Sequence, residues 1–199
     1  MGMDTRAVGL FVAAATALLG SPGPGIAALL AVGKSQGWPG GLRYFAGLQI
    51  GLAAALVISG AGLVSLLTAY PAVTRVMVIV ATIYLVYLAY AIATSPVGRD
   101  QTDRLASYSP VAGALLGVTN PKAYLAMTSL LASPLQLTVG GSTNVALKMA
   151  LCMAVIIIVD ILWLWVGVAV GRIKLTAFAE RAMNVAMGAT ILIATAFSI

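Results

Sequence analysis

The chain has 199 residues, 61% of them hydrophobic and only 8% charged, whereas a soluble domain averages about 25% charged residues; this excludes an ordinary soluble domain and points to a polytopic membrane protein. The net charge of +6 carries no basic run with interleaved aromatics, so nucleic-acid binding is excluded and the Lys and Arg are read as loop residues that fix orientation. With one cysteine, Cys152, and no histidine, no intrachain disulfide forms, the usual zinc and soft-metal sites are excluded, and no cofactor is expected.

Crossing the hydrocarbon core takes about 20 apolar residues in a helix. Six segments qualify, at about 7–32, 44–68, 74–94, 109–133, 146–170 and 180–198. The first is read as a membrane helix rather than a cleaved leader, because Pro22 follows the small residues and the apolar pattern resumes at Ile26. The intervening loops are short: Gly33 to Arg43, a turn at Tyr70-Pro71, Ser95 to Ser107, Pro134 to Asn144, and Gly171 to Ala179. Loops one, three and five with their flanks hold Lys34, Arg43, Arg99, Arg104, Arg172, Lys174 and Arg181, against Arg6, Arg75 and Lys148 on the other side. That bias places loops one, three and five in the cytoplasm and both termini outside.

A helix-breaking phrase occurs twice. Ala17-Leu18-Leu19-Gly20-Ser21-Pro22-Gly23-Pro24 returns, 97 residues on, as Ala114-Leu115-Leu116-Gly117-Val118-Thr119-Asn120-Pro121. Each copy interrupts an apolar segment, the first and the fourth. Hydrocarbon cannot satisfy the backbone groups that a break frees, so such breaks persist only where they face protein or a watery cavity. Matching breaks in two halves mark the binding site of many secondary transporters. Six helices and an offset near half the chain imply three helices per half, hence two inverted repeats, about 7–94 and 109–198, in a single all-α transporter domain spanning 1–199.

Asp160 lies near the middle of the fifth segment, where a charge costs about 2.5–3.5 kcal/mol on insertion scales. It reads either as a proton carrier facing a cavity or as an acid paired with a lysine or a helix end. Lys122 follows the second break and is its natural partner: a site for a substrate carboxylate, or half of a permanent ion pair with Asp160. The half-helices that resume after Pro24 and Pro121 offer free N–H groups to an anion, or else the breaks are kinks required only for packing. Asn120 and Asn184 are intramembrane amides that line a cavity or bond across helices, as do the neutral groups of Ser21, Thr119, Gln49 and Thr128. Trp163 is one turn from Asp160 and on its face of the helix. Tyr84, Tyr87 and Tyr90 read as packing or interface anchors. Gly47–Gly51, Gly113–Gly117 and Gly167–Gly171 let helices approach closely, within the bundle or at a homodimer face.

These motifs resemble a known family. Ser21-Pro22-Gly23-Pro24 looks like its Pro-Gly-Pro signature, and Asn120-Pro121-Lys122-Ala123 matches its Asn-Pro-Lys-Ala signature. Asp160 with Trp163, then Arg181, Asn184 and Gly188, fit its later pattern. The resemblance is to the lysine-exporter (LysE) superfamily, and to its homoserine/threonine-exporter-like (RhtB) branch. It departs at Gly25, a position often polar in relatives. The resemblance implies an exporter of amino acids across the bacterial inner membrane, driven by the proton gradient. On this reading Ser21, Pro22, Gly23, Pro24, Asn120, Pro121, Lys122, Asn184 and Trp163 bind substrate and Asp160 couples protons; the partners are a small zwitterion, protons and the lipid bilayer. Disulfide-reductant carriers need a cysteine pair, and metal exporters need His, Cys or carboxylate clusters; the sequence has neither. A membrane enzyme would need a nucleophile with its base near the interface, and Asp100 and Asp103 beside Arg99 and Arg104 read instead as a solvated loop.

Overall fold

The structure is a computed structural model. It describes residues 4–21, 23–61, 108–138, 141–173 and 176–196, with scattered positions between 79 and 94. Pro22, Tyr84, the turn at Tyr70-Pro71 and the loop from Ser95 to Ser107 lie outside the described residues.

Helix α1 (Thr5–Gly20) starts at Asp4, whose carboxylate accepts from the backbone N–H groups of Arg6 and Ala7, both at 3.0 Å, the usual way of satisfying a helix's first donors. It stops at Ser21, which is extended. Helix α2 (Pro24–Gly60) resumes directly after the break with Pro24 at its first position, where a missing N–H costs nothing. Helix α3 (Pro110–Thr119) and helix α4 (Pro121–Leu131) repeat this arrangement, with Asn120 extended between them and Pro121 opening the second piece. Both breaks anticipated from the recurring phrase are therefore real breaks in the backbone. Helix α5 (Gly141–Gly171) and helix α6 (Ala177–Ala196) complete the chain.

One expectation is corrected. The segment from Gly33 to Arg43 is not a loop. The helix runs to Gln36, Gly37 alone leaves helical geometry at φ 63°, and the helix restarts at once with Pro39 in its first turn. A left-handed residue at a helix end is a role glycine fills without a Cβ clash, so one residue turns the chain where eleven were expected to. Lys148, which the sequence places just inside the fifth segment, is buried, 2% exposed, and its ammonium donates to the Ser133 carbonyl at 2.7 Å and, at 3.4 Å, to that of Leu131. It satisfies carbonyls at the C-terminal end of α4, as basic side chains often do.

Two glycine seams hold the bundle. In the first, Gly33 packs against the Leu164 carbonyl, Gly167 against that of Leu30, and Gly171 against that of Lys34. In the second, Gly47 meets the Pro110 carbonyl, Gly51 that of Ala114, Gly113 that of Tyr44, and Gly117 that of Leu48. Contacts one turn apart rise together, 30 with 167 and 34 with 171, 47 with 110 and 51 with 114, so the arm 24–36 runs parallel to α5 and the arm 38–60 runs parallel to α3. The glycine pairs thus act inside the chain. Backbone touches backbone, and the large side chains Phe11, Leu29, Tyr44, Leu48, Leu116, Met127 and Leu164 fill the core around the seams.

The exterior is apolar. Ile50 and Val57 on α2, Val111 and Leu115 on α3, Ile158, Leu162 and Trp165 on α5, and Ile79, Ile83, Val86 and Tyr90 before α3 are all exposed. A coat of this kind suits hydrocarbon and not water. Among the described residues, Pro24–Gly60 and Ser142–Gly171 are long and apolar enough to cross a membrane. The first of these is divided by the bend at Gly37.

The seams predict a graded response to added bulk. A Cβ at Gly51 would fall 2.8 Å from the Val118 nitrogen and 2.9 Å from the Gly117 Cα. Gly51→Val should therefore cost at least about 1–3 kcal/mol, seen as a lower melting temperature in detergent. Gly9→Ala, with nothing within 4 Å, should melt like the parent.

Candidate functional site

The two breaks meet. A Cβ built on Gly23 would lie 2.7 Å from Cδ of Lys122, and one on Gly25 would lie 3.8 Å from Nδ2 of Asn120. The Lys122 ammonium donates to the Ser21 carbonyl at the end of α1. Pro24 and Pro121 fix where each helix restarts, and the extended Ser21 and Asn120 carry the backbone across. Neither restart has a side-chain cap: Gly23 has none to offer, and the side chain of Asn120 makes no capping bond. Asparagine is a strong N-cap residue, so its failure to cap here is informative. Its Oδ1 is buried without a hydrogen-bond partner, in a residue 6% exposed.

A cavity of about 40 Å³ lies at this meeting point, lined by Gly23, Gly25, Asn120, Lys122 and Asp160 together with leucine, isoleucine, alanine and Met127 side chains. One water needs roughly 10–15 Å³ of such volume, so the space holds about three waters and is too small for an amino acid.

Asp160 reaches the cavity from α5 and is 6% exposed. Its Oδ2 accepts from Gln49 Nε2 at 2.8 Å. It also lies close enough to Lys122 for each to feel the other's charge. A carboxylate held by one amide and facing one cation from across the bundle satisfies the requirement that intramembrane charges be partnered. Gln49, named among the neutral polar groups of the sequence, is the functional-site candidate the sequence left least marked. Its position inside an otherwise apolar stretch of the second segment is the signal that it needs an internal partner. Its own Oε1 is buried without a hydrogen-bond partner.

The other candidates are distributed as follows. Ser21 contributes its backbone carbonyl, while its hydroxyl donates to the Leu18 carbonyl at 2.9 Å. Thr119 likewise bonds back, to the Leu115 carbonyl at 2.6 Å. Pro24 is buried at the restart of α2, and Pro121 is half-buried at the start of α4. Trp163 is half-buried on α5 and is not among the cavity's lining residues. Asn184 is buried away from the cavity, where its Oδ1 accepts from the Lys34 ammonium. On the same helix, Arg181 donates to the Ala93 carbonyl at 3.1 Å and Gly188 packs on the Ala89 carbonyl. The face shared by Arg181, Asn184 and Gly188 therefore docks α6 onto its neighbours. Among the described residues no cluster of His, Cys, Asp or Glu could hold a metal ion.

An all-helical bundle with an apolar exterior, two interrupted helices and a charged cavity at the interruptions defines a membrane translocator. The chain belongs to the LysE type translocator family, whose model matches residues 16–198. No curated protein sequence and no solved structure is detectably similar to it. Membership makes the chain an exporter of small solutes rather than an enzyme.

The Gln49–Asp160 bond has a measurable consequence. Gln49→Leu leaves the buried Oδ2 without its donor and should lower stability in detergent by about 1–3 kcal/mol. Replacing both residues by Leu should cost less than the sum of the two single changes. Strict additivity in the thermal melts would mean the bond contributes nothing.

Proposed function

We propose that the chain exports amino acids or related small zwitterions across the bacterial inner membrane in exchange for protons, as in the homoserine/threonine-exporter-like branch of its family. The observation that carries this reading is the convergence of Lys122, Asn120 and Asp160 on one cavity between two uncapped helix starts. A zwitterion needs a positive partner for its carboxylate and a negative one for its ammonium. Lys122 and the N–H groups at the restarts supply the first. Asp160, with Asn120 on the same cavity, supplies the second.

In this arrangement Lys122 is held by the Ser21 carbonyl and Asp160 by Gln49. An arriving carboxylate competes with Ser21 for Lys122. A proton and the substrate ammonium compete for Asp160, so that the group carries one or the other but not both. Exclusive occupancy at one carboxyl is sufficient for exchange. Because the cavity has room for only a few waters, each binding event must separate the two breaks, and this links occupancy to the movement of one half against the other.

The reading of two inverted repeats draws support from contacts that exchange with one another. Counting 97 residues between the first and fourth segments, the Gly23–Lys122 contact becomes the Asn120–Gly25 contact. Counting 111 between the second and fifth, as Gln49 stands from Asp160, the Gly20–Val159 contact becomes that of Gly117 with Leu48. With the Gln49–Asp160 pair setting that second offset, a pseudo-two-fold axis through the cavity accounts for both exchanges. The distribution of Lys and Arg supports a cytoplasmic placement of the Gly37 bend and of loops three and five.

The test is uptake into proteoliposomes with an imposed pH gradient. The parent should accumulate one class of labelled amino acid in proportion to the gradient. Asp160→Asn should remain folded yet lose the dependence on the gradient, and Lys122→Gln should weaken substrate binding at least tenfold. Full proton-driven transport by Asp160→Asn would refute the coupling role.

A further inference from the structure

We infer that the cavity selects zwitterions with uncharged, apolar side chains of modest size and rejects both basic and acidic amino acids. The inference rests on the amino-acid reading of the site and adds to it the class of side chain. The lining residues carry one cation, Lys122, and one anion, Asp160. The α-carboxylate and α-ammonium of a bound amino acid occupy both. The buried Asn120 Oδ1, which has no hydrogen-bond partner and belongs to a residue 6% exposed, takes a second N–H of the ammonium. That exhausts the charged side chains of the lining.

What remains for the substrate's side chain is a wall of Leu18, Ile26, Leu48, Leu52, Met127 and Ile156. These come from α1, both arms of α2, α4 and α5, so several helices contribute apolar surface to the cavity. A second charge pushed against such a wall would lose its hydration without gaining a partner, which costs at least about 100-fold in affinity. A hydroxyl would be tolerated better, losing roughly tenfold. An aliphatic or thioether side chain would gain contact area on every face. Leu48 and Met127 are themselves fully buried, so once the breaks part, the limit on size is set by how far flexible side chains such as Met127 can move.

One position allows the polarity of the wall to be changed without disturbing the fold. Gly25 lines the cavity, and a Cβ there would make only ordinary contacts, 3.8 Å to Asn120 Nδ2 and 3.8 Å to a Leu48 methyl. Gly23 offers no such room, because a Cβ there would fall 2.7 Å from Lys122 Cδ. Gly25→Ser therefore places a hydroxyl in the substrate's space, and Met127→Ala enlarges the same space.

The experiment is uptake of a labelled panel into proteoliposomes at equal concentration: alanine, valine, leucine, methionine, serine, threonine, lysine, arginine, glutamate and phenylalanine. The aliphatic members and methionine should be taken up best, with lysine, arginine and glutamate at least about 100-fold lower in kcat/KM. Gly25→Ser should raise serine and threonine relative to valine by about tenfold, and Met127→Ala should raise phenylalanine relative to valine. Transport of a basic or acidic amino acid as efficiently as leucine, or of serine and threonine ahead of the aliphatic members by the parent, would overturn the inference while leaving amino-acid export standing. Absence of uptake for the whole panel by folded protein would overturn both this inference and the function on which it rests.

Discussion

A helix broken inside hydrocarbon exposes carbonyl and N–H groups that the lipid cannot bond. This chain breaks two helices in the same way, at Ser21 to Gly23 and at Asn120, and everything around the cavity follows from having to satisfy those groups internally. The carbonyl at the end of α1 is met by Lys122, which the other break supplies. The helix starts at Pro24 and Pro121 dispense with one donor each by using proline. Both restarts border the small cavity that Lys122 and Asp160 line. The second break thus satisfies the end of the first.

Bringing two broken helices together requires the rest of the bundle to pack at backbone distance. The seams through Gly33, Gly167 and Gly171 and through Gly47, Gly51, Gly113 and Gly117 provide that closeness. They also set the positions of Gln49 and Asp160, which lie on α2 and α5 and meet across the interior. The same geometry explains why a single acid can sit there. Asp160 has an amide donor on one side and the charge of Lys122 on the other, so its presence in an apolar helix is offset locally rather than by the fold as a whole. Farther out, Asp4, Asn144 and Lys148 tie down the segment that follows α4: Asp4 N–H donates to the Leu137 carbonyl at 3.1 Å, Leu137 N–H donates to Asn144 Oδ1 at 2.7 Å, and Lys148 holds Ser133.

Much of this was legible in the sequence because hydrophobic length and helix-breaking residues act locally. The breaks at Pro24 and Pro121, the burial of Asp160 and the proximity of Lys122 to it all follow from residue type and position in an apolar segment. Three features escaped because they depend on what the fold brings near. Gly37 turns the chain alone, which a run of turn-forming residues such as Gly37-Trp38-Pro39-Gly40-Gly41 conceals. Lys148 is buried because the carbonyls at the end of α4 happen to lie beside it. Asn184 and Trp163 share the membrane with the cavity without lining it, since helical position alone does not fix which neighbour a face meets. Gln49 is the converse: an unremarkable amide in sequence that the fold sets against the buried Asp160.

On this reading the transported solute sits in the space between the two breaks. Chemical protection at Gly25 tests this, in Gly25→Cys built on Cys152→Ser so that the only thiol lies in the cavity wall. A small maleimide should modify this thiol, and a transported amino acid should slow the modification with a half-maximal concentration matching its KM. A rate of modification that stays constant under saturating concentrations of a transported substrate would contradict the account, for the solute would then be crossing the protein somewhere else.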